Sequence, residues 1–419
     1  LHEKETSQRP VGLLALLALG INGIVGVGIF FAPAEVARGA PGWKSILVFA
    51  VTGLALAPVA ATFSTVGRRF DEDGGPVVYA RAAFGELASF LVGWVAYVSA
   101  VASTTAVMSG LTTALAPPSW GARRIGLVAA ALVSLLALVC AAGIRLSAWV
   151  WTALTGLKLL PLLALVAVYV AAGLPGPASP ATAAPTLDLL RAALLATFAF
   201  QGFEVVPVIA GQVRSSERHI PWAIGGALGS SALLYVALQA ACVAALPALS
   251  ASGSPLADAA GALAGPWLSR VVVLGTSVSA LGIAFGMVAT TPRYLSALAT
   301  GGGSLPFDLD RTSAKGVPLR ALFVTWLLVA GLLQAGSLSE FFALSSVAVL
   351  AQYGVTALSL LALARRRERG LSPRDAWSAF PTIVVTVALV AGAHLHEALV
   401  AGGALALGLA LRWYHRSLA

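Results

Sequence analysis

The sequence predicts an all-α polytopic membrane protein of about twelve transmembrane helices, and three observations carry that expectation. Of the 419 residues, 58% are hydrophobic and only 10% charged, with a mean hydropathy of +0.90, far more apolar than a soluble domain of average usage. The apolar residues gather into runs near the roughly 20 residues that a bilayer core needs. Two of those runs, each leading one half of the chain, are interrupted by glycine and polar residues.

The runs lie at about 11–38, 44–66, 84–114, 124–142, 147–172, 188–211, 222–246, 268–298, 318–335, 339–364, 378–394 and 397–413. This divides the chain into a tail (1–10), five spans (11–172), five more (188–364) and two trailing spans (378–413). Twelve spans put both termini on one side. With that side as the cytoplasm, 19 of the 26 Lys and Arg residues are inside, six are outside, and Lys158 belongs to no loop. The asymmetry predicts cytoplasmic termini in the cell (inner) membrane. The formal charge of +9 forms no continuous patch, so no nucleic-acid partner is expected. Residues 1–10 are polar and the following run is too long for a signal h-region, so no cleavable signal is expected. Cys140 and Cys242 each lie inside an apolar run and read as buried thiols.

The first interruption is Ile24-Val25-Gly26-Val27-Gly28-Ile29-Phe30. Glycine costs roughly 1 kcal/mol against alanine in a helix interior, and in hydrocarbon any backbone group it frees needs a partner. A binding site and close helix packing through small residues both answer that need. The second interruption, Phe198-Ala199-Phe200-Gln201-Gly202-Phe203-Glu204 with Pro207 following, puts Gln, Gly and Glu in one crossing, where polar groups are expensive. Paired interruptions in corresponding spans of two halves point to a transporter built from inverted repeats, with substrate held at the midplane.

Connections carry less information. Residues 67–84 hold Asp71, Glu72 and Asp73 before Gly74-Gly75-Pro76, and the acidic run reads as a solvated turn. Residues 174–185, rich in Pro, Ala and Gly, read as a passive linker. Residues 301–318, from Gly301-Gly302-Gly303 on, read as a flexible connection.

Taken in order, several motifs resemble those of the amino acid–polyamine–organocation family of permeases. They are Gly26-Val27-Gly28-Ile29-Phe30 with Pro33; Gly74-Gly75-Pro76 with Tyr79 and Phe84-Gly85; and Phe198-Ala199-Phe200 with Gly202-Phe203-Glu204. Ala210-Gly211, Arg218 and Ile220-Pro221 complete the set. The second half matches mainly in span pattern. The resemblance implies the five-plus-five inverted-repeat, LeuT-like fold of the sodium-coupled neurotransmitter transporters, with helices 1 and 6 broken. It also implies amino acid transport by alternating access. By position, Gly26, Val27 and Gly28 would meet the carboxylate, Ile24 and Val25 would offer carbonyls to the ammonium, and Phe198, Phe200, Gln201 and Gly202 would complete the pocket. Helix-end electrostatics suit the same zwitterion, since N-termini attract anions and C-terminal carbonyls attract cations.

Two positions depart from the family pattern. Val27 replaces a common Ser, leaving only backbone donors there, and Gln212 replaces a common Glu after Ala210-Gly211, which weakens a gating salt bridge. Beyond Glu204, which reads equally as a helix–helix hydrogen-bonding residue, the predicted pocket has no acid, so a neutral substrate is expected. Specificity would rest on Gln201 and the rings of Phe198, Phe200 and Phe203.

Lys158 is midway through the fifth span, about 16 Å from either water boundary at 1.5 Å per residue, and a central lysine costs about 2.5–3.5 kcal/mol on insertion scales. A structural lysine reaching an aqueous crevice is one reading. In the resembling proton-dependent and exchanger branches, however, a lysine in this span replaces the sodium ion and contacts the broken first helix. That role implies that Lys158 holds carbonyls near Gly23 to Val25 with the eighth span and couples transport to protons without sodium.

Other polar residues read more plainly. His394 and His396, at i and i+2, would point to different helix faces, and no metal site is expected. Glu35 would line the outer vestibule or stabilise the outer half of span one; Ser277 and Ser279 would contact an ion-like site or bond their own helix. An enzyme needs a convergent catalytic set, and none of the five His neighbours a suitable nucleophile. No cofactor is expected. The partners expected are an amino acid, protons and the bilayer, with the chain a monomer or weak oligomer. Exchange and export remain alternatives to uptake.

Overall fold

The computed structural model describes residues 11–117, 119–143, 148–176, 187–299, 305 and 308–418. The tail with Lys4 and Arg9, Arg145, most of the 174–185 linker and Gly301 to Gly303 lie outside the described residues.

Each of the expected runs carries a helix. The first is split into α1 (Leu13–Ile24) and α2 (Gly28–Gly39), inclined by 44°. The next run is α3 (Trp43–Ala55) and α4 (Ala57–Gly67), which together form one span. A short helix missed in the sequence, α5 (Pro76–Phe84), lies in the first connection between Gly75 and Gly85, both at positive φ, where glycine alone avoids a Cβ clash. There follow α6 (Glu86–Leu115), α7 (Ala122–Ala141) and α8 (Ala148–Ala171).

The second half begins with α9 (Leu189–Phe200), which gives way to a 3₁₀ segment, Phe203–Gln212. It continues through α10 (Ser216–Ala245), α11 (Pro255–Ala264), α12 (Pro266–Ala299), α13 (Leu319–Ala335) and α14 (Leu338–Arg366). The chain closes with α15 (Ala379–Val390) and α16 (Leu395–Leu418). Among the described residues, eight helices are long and apolar enough to cross a membrane, or nine with the bent α1–α2 pair as one span. The run at 378–394 yields only 12 helical residues in α15.

Burial separates an inner group from a rim. In α6 and α14, which pack along one another, 67% of the most apolar stretch is buried, against 17% in Leu395–His415. Arg191 at the start of α9 bonds both carboxylate oxygens of Glu397 on α16, at 2.6 and 2.7 Å, tying the rim to the broken helix. His394 and His396 do not diverge as their spacing suggested. Because α16 begins at Leu395, His394 precedes the helix, and the two rings lie 5.7 Å apart and nearly parallel.

Candidate substrate site

The two interruptions meet. Gly202, at φ +126°, lies so close to α1 that a Cβ there would fall on the Gly23 carbonyl, and a Cβ on Gly23 would be 2.7 Å from Gly202 O. A Cβ on Gly28 would come within 3.0 Å of the Phe198 ring, whereas one on Gly26 would meet only its own strand's carbonyls, at 3.8 Å. Glycine at 23, 28 and 202 therefore lets two broken helices cross in contact, and glycine at 26 keeps space open.

The break redistributes backbone bonds. In an unbroken helix Gly26, Val27 and Gly28 would donate to the carbonyls of Asn22, Gly23 and Ile24. Here Gly26 N–H turns instead to Ile24 O at 2.6 Å, while the amides of Val27 and Gly28 find no acceptor among the described residues. On the carbonyl side, Ile24 O also accepts from Tyr235 Oη at 2.7 Å, a hydroxyl shared with Ala199 O at 3.0 Å. Asn22 O accepts from Lys158 Nζ at 2.9 Å. Gly23 O has no hydrogen-bond partner among the described residues. The Val27 and Gly28 amides and the Gly23 carbonyl are thus among the backbone groups left without a partner within the described residues, and such groups need a partner away from water.

A cavity of about 270 Å³ lies against this crossing. Ile24, Gly26, Val27, Gly28, Phe198, Gln201 and Gly202 all line it. Val25 and Phe200 do not: Val25 is fully buried, and the Phe200 ring turns away to pack on Phe49 and Tyr235. Phe203 likewise packs on Phe63 and Tyr353. The ring that joins Phe198 is Phe342 of α14, stacked with centroids 4.0 Å apart. That stack lies one helical turn from Gln201 toward the Leu189 and Leu338 ends of α9 and α14. In the opposite direction the cavity reaches Gly74, Pro76 and Val77.

Its polar lining is Gln201 and Glu204 with Ser99, Ser103, Tyr294 and Gln352, and serines that the sequence did not single out hold Gln201 from behind. Gln201 Oε1 accepts from Ser345 Oγ at 3.0 Å and its amide donates to Ser346 Oγ at 3.3 Å. Ser103 is 2.6 Å from Ser345. Glu204 Oε2 accepts from Gly202 N–H at 2.8 Å and from Tyr353 Oη at 3.0 Å, so the one acid among the described lining residues is engaged in holding the second break. The serines at 345 and 346 left one trace in the sequence: a polar pair in the middle of an otherwise apolar span.

The acidic run of the first connection is exposed, as a solvated turn would be, but its carboxylates also have partners. Asp71 Oδ1 accepts from Ser216 Oγ at 3.0 Å, and Glu72 pairs with Arg369 at 3.3 Å. Asp73 accepts from Gly211 N–H at 3.0 Å and from Gln212 Nε2 at 2.9 Å. Asp73 fastens the connection to the end of the second broken helix, Asp71 to the start of α10 and Glu72 to the segment after α14. Gln212 forms a neutral link where a glutamate would repel Asp73.

Lys158 is 2% exposed. Its contact falls on Asn22, one residue before the carbonyls expected, because the turn of Gly26 N–H to Ile24 releases the Asn22 carbonyl. Ser279 on α12 is buried with no hydrogen-bond partner for Oγ among the described residues, while Ser277 bonds its own helix at Val273 O. A Cβ on Gly275, one turn before Ser279, would be 2.7 Å from Pro161, so α12 and the Lys158 helix pack closely at this level. Glu35 pairs with Arg38 on the same helix.

Comparison with known proteins agrees with this architecture. A family model described as amino acid permease matches residues 11–399. An uncharacterised transporter of Mycobacterium tuberculosis is 31% identical over 97% of this chain and 91% of its own length. The vacuolar cationic amino acid transporter 4 of Arabidopsis thaliana is 25% identical over 83% of this chain and 62% of its own. The methylthioribose transporter of Bacillus subtilis is 23% identical over 85% of this chain and 82% of its own.

Proposed function

Because this chain belongs to the amino acid permease family, we propose that it is a secondary active transporter of neutral amino acids, working by alternating access with proton coupling and no sodium requirement. The observation that carries this is the crossing of the two breaks, which leaves the Val27 and Gly28 amides and the Gly23 carbonyl without partners among the described residues beside one cavity. A carboxylate suits the amides at the N-terminus of α2, and an ammonium suits the carbonyl at the C-terminus of α1. Gly26 leaves room for the α-carbon. Val25 and Phe200 act from behind, Phe200 by supporting Tyr235.

The small volume and the engagement of Glu204 favour a neutral side chain contacting Phe198 and Gln201. The named relatives include a cationic amino acid transporter, and Glu204 in the lining supports a cationic substrate as the second reading. In the proposed cycle, five helices of each half form inverted repeats within a twelve-span protein of the inner membrane with cytoplasmic termini. Protonated Lys158 holds Asn22 and so fixes the angle of α1; loss of its proton releases that bond and lets α1 swing. Exchange or export would use the same site.

Counterflow in proteoliposomes over a panel of amino acids tests the reading. Alanine, leucine or methionine should exchange best, without sodium, and Lys158→Ala should abolish the response to a pH gradient. Uptake strongest for arginine, an absolute sodium requirement, or an unchanged gradient response in Lys158→Ala would each overturn the corresponding part.

A further inference from the structure

A hollow larger than the substrate cavity lies elsewhere. A groove of about 950 Å³ runs between α4 and α10, walled by residues such as Ala57, Ala61, Gly225 and Gly229. Along the α3–α4 span its lining runs from Ala50 to Arg68, about 27 Å at 1.5 Å per residue, and along α10 from Pro221 to Val236, about 22 Å, deeper than half the thickness of a bilayer's hydrocarbon core. The wall is almost wholly apolar until its end, where Arg68 belongs both to this groove and to an adjoining polar hollow with Arg69, Glu217, Arg218 and Trp222.

The charges at that end are incompletely matched. Arg68 reaches Asp375 only at 3.4 Å and Arg69 reaches Glu217 only at 3.5 Å. The Nε atoms of both arginines are buried without a hydrogen-bond partner among the described residues. Arg218 makes no ion pair among them either. Trp222 and Trp377, 68% and 66% exposed, flank the arginines, as indole rings do at the level of lipid headgroups.

We infer that this groove binds one anionic phospholipid, its acyl chain between α4 and α10 and its phosphate among Arg68, Arg69 and Arg218. Apolar walls deep enough for a lipid chain, ending in a basic, tryptophan-flanked mouth, match an amphiphile whose charge is negative, and basic residues between membrane helices recognise such headgroups. The site also touches the transport machinery. Gly53 lines the groove, and because it has no side chain the Phe200 ring packs directly behind it, 3.1 Å from where a Cβ would stand. Occupancy therefore braces the second break from behind.

Native mass spectrometry of the purified full chain tests the inference, titrating phosphatidylglycerol against phosphatidylcholine of identical acyl chains, with glycerol phosphate as a chain-free headgroup. Gly229→Leu and Gly225→Leu fill the groove without strain, since a Cβ at either position meets nothing within 4 Å. Phosphatidylglycerol should bind at one site in preference to phosphatidylcholine, and glycerol phosphate should not bind. Either leucine variant should lose that site while keeping the wild-type elution profile. Arg218→Gln should weaken phosphatidylglycerol about five-fold, the worth of one arginine near an anionic surface, and leave phosphatidylcholine unchanged. Equal retention of the two lipids, retention undiminished in both leucine variants, binding of glycerol phosphate alone, or a second copy of the chain in place of lipid would overturn it.

Discussion

Gly23 and Gly202 touch backbone to backbone at the point where the two broken helices cross, leaving no room for a Cβ on either. At φ +126° any other residue at 202 is also strained, by about 1–3 kcal/mol. Gly202→Ala and Gly23→Ala should lower the thermal midpoint measured in detergent, whereas Gly26→Ala should leave it near wild type and weaken amino acid binding. A stable Gly202→Ala protein with normal binding would mean that the crossing is not tight.

The Tyr235 hydroxyl is shared between Ile24 O and Ala199 O, one carbonyl from each broken helix. Tyr235→Phe takes the hydroxyl from the buried Ala199 carbonyl and leaves Ile24 O with the Gly26 amide alone, at a cost of about 1–3 kcal/mol. A measurable fall in thermal midpoint, with a larger loss of transport than of expression, is the expected result.

Arg191 and Glu397 form a buried, doubly bonded pair. Replacing Arg191 alone by Leu should cost about 3–5 kcal/mol because the carboxylate is left uncompensated, and replacing both partners by apolar residues should restore most of the loss. A double-mutant cycle on thermal stability reads this, and additive single losses would show the pair to be uncoupled.

Asp375 lies outside the membrane spans, where the Ser372 hydroxyl (2.7 Å) and the Ser372 N–H (2.8 Å) hold its carboxyl below the ordinary value of 3.8, with Arg68 and Arg69 adding to the effect. A depressed folded value gives stability that is present above the ordinary value and lost as pH falls through the depressed one. Asp375→Asn should therefore be less stable than the parent at neutral pH, with the difference closing below pH 3.8. A gap that persists in acid would assign the effect to shape and not to charge.

Asp73 and Gln212 fasten the first connection to the second broken helix. Gln212→Glu sets two carboxylates against each other and removes a bond to a charged group worth about 1.5–3 kcal/mol. A cysteine placed at Val77, which lines the cavity, should then react faster with a water-soluble maleimide. Unchanged labelling would show that other contacts hold this end shut.

Much of the centre was legible because it rests on residue types with few other uses. Glycine at 26, 28 and 202, and a lysine in mid-span, are costly in hydrocarbon unless a neighbour requires them. The facing of the rings was not legible. Phe198, Phe200 and Phe203 are alike in sequence, yet Gln201 is extended, with ψ 148°, and Gly202 has positive φ. Helical periodicity therefore ends between them, and only Phe198 reaches the cavity. Tyr235, Ser345 and Phe342 were equally hidden, each in a different span from the group it contacts. The acidic run at Asp71 to Asp73 looked solvated because its partners, Ser216, Gln212 and Arg369, are far away in the chain.

By itself, the sequence determined that this is a helical membrane chain with two interrupted spans and a lysine needing a partner, because apolar run length and the cost of glycine and charge in lipid are local properties. The tertiary structure decided which carbonyl Lys158 takes, which amides stay free, and which aromatic ring faces the cavity. Those depend on how the ends of two broken helices cross, and a crossing is set by contacts between residues about 180 positions apart, such as Gly23 and Gly202, that no local pattern encodes.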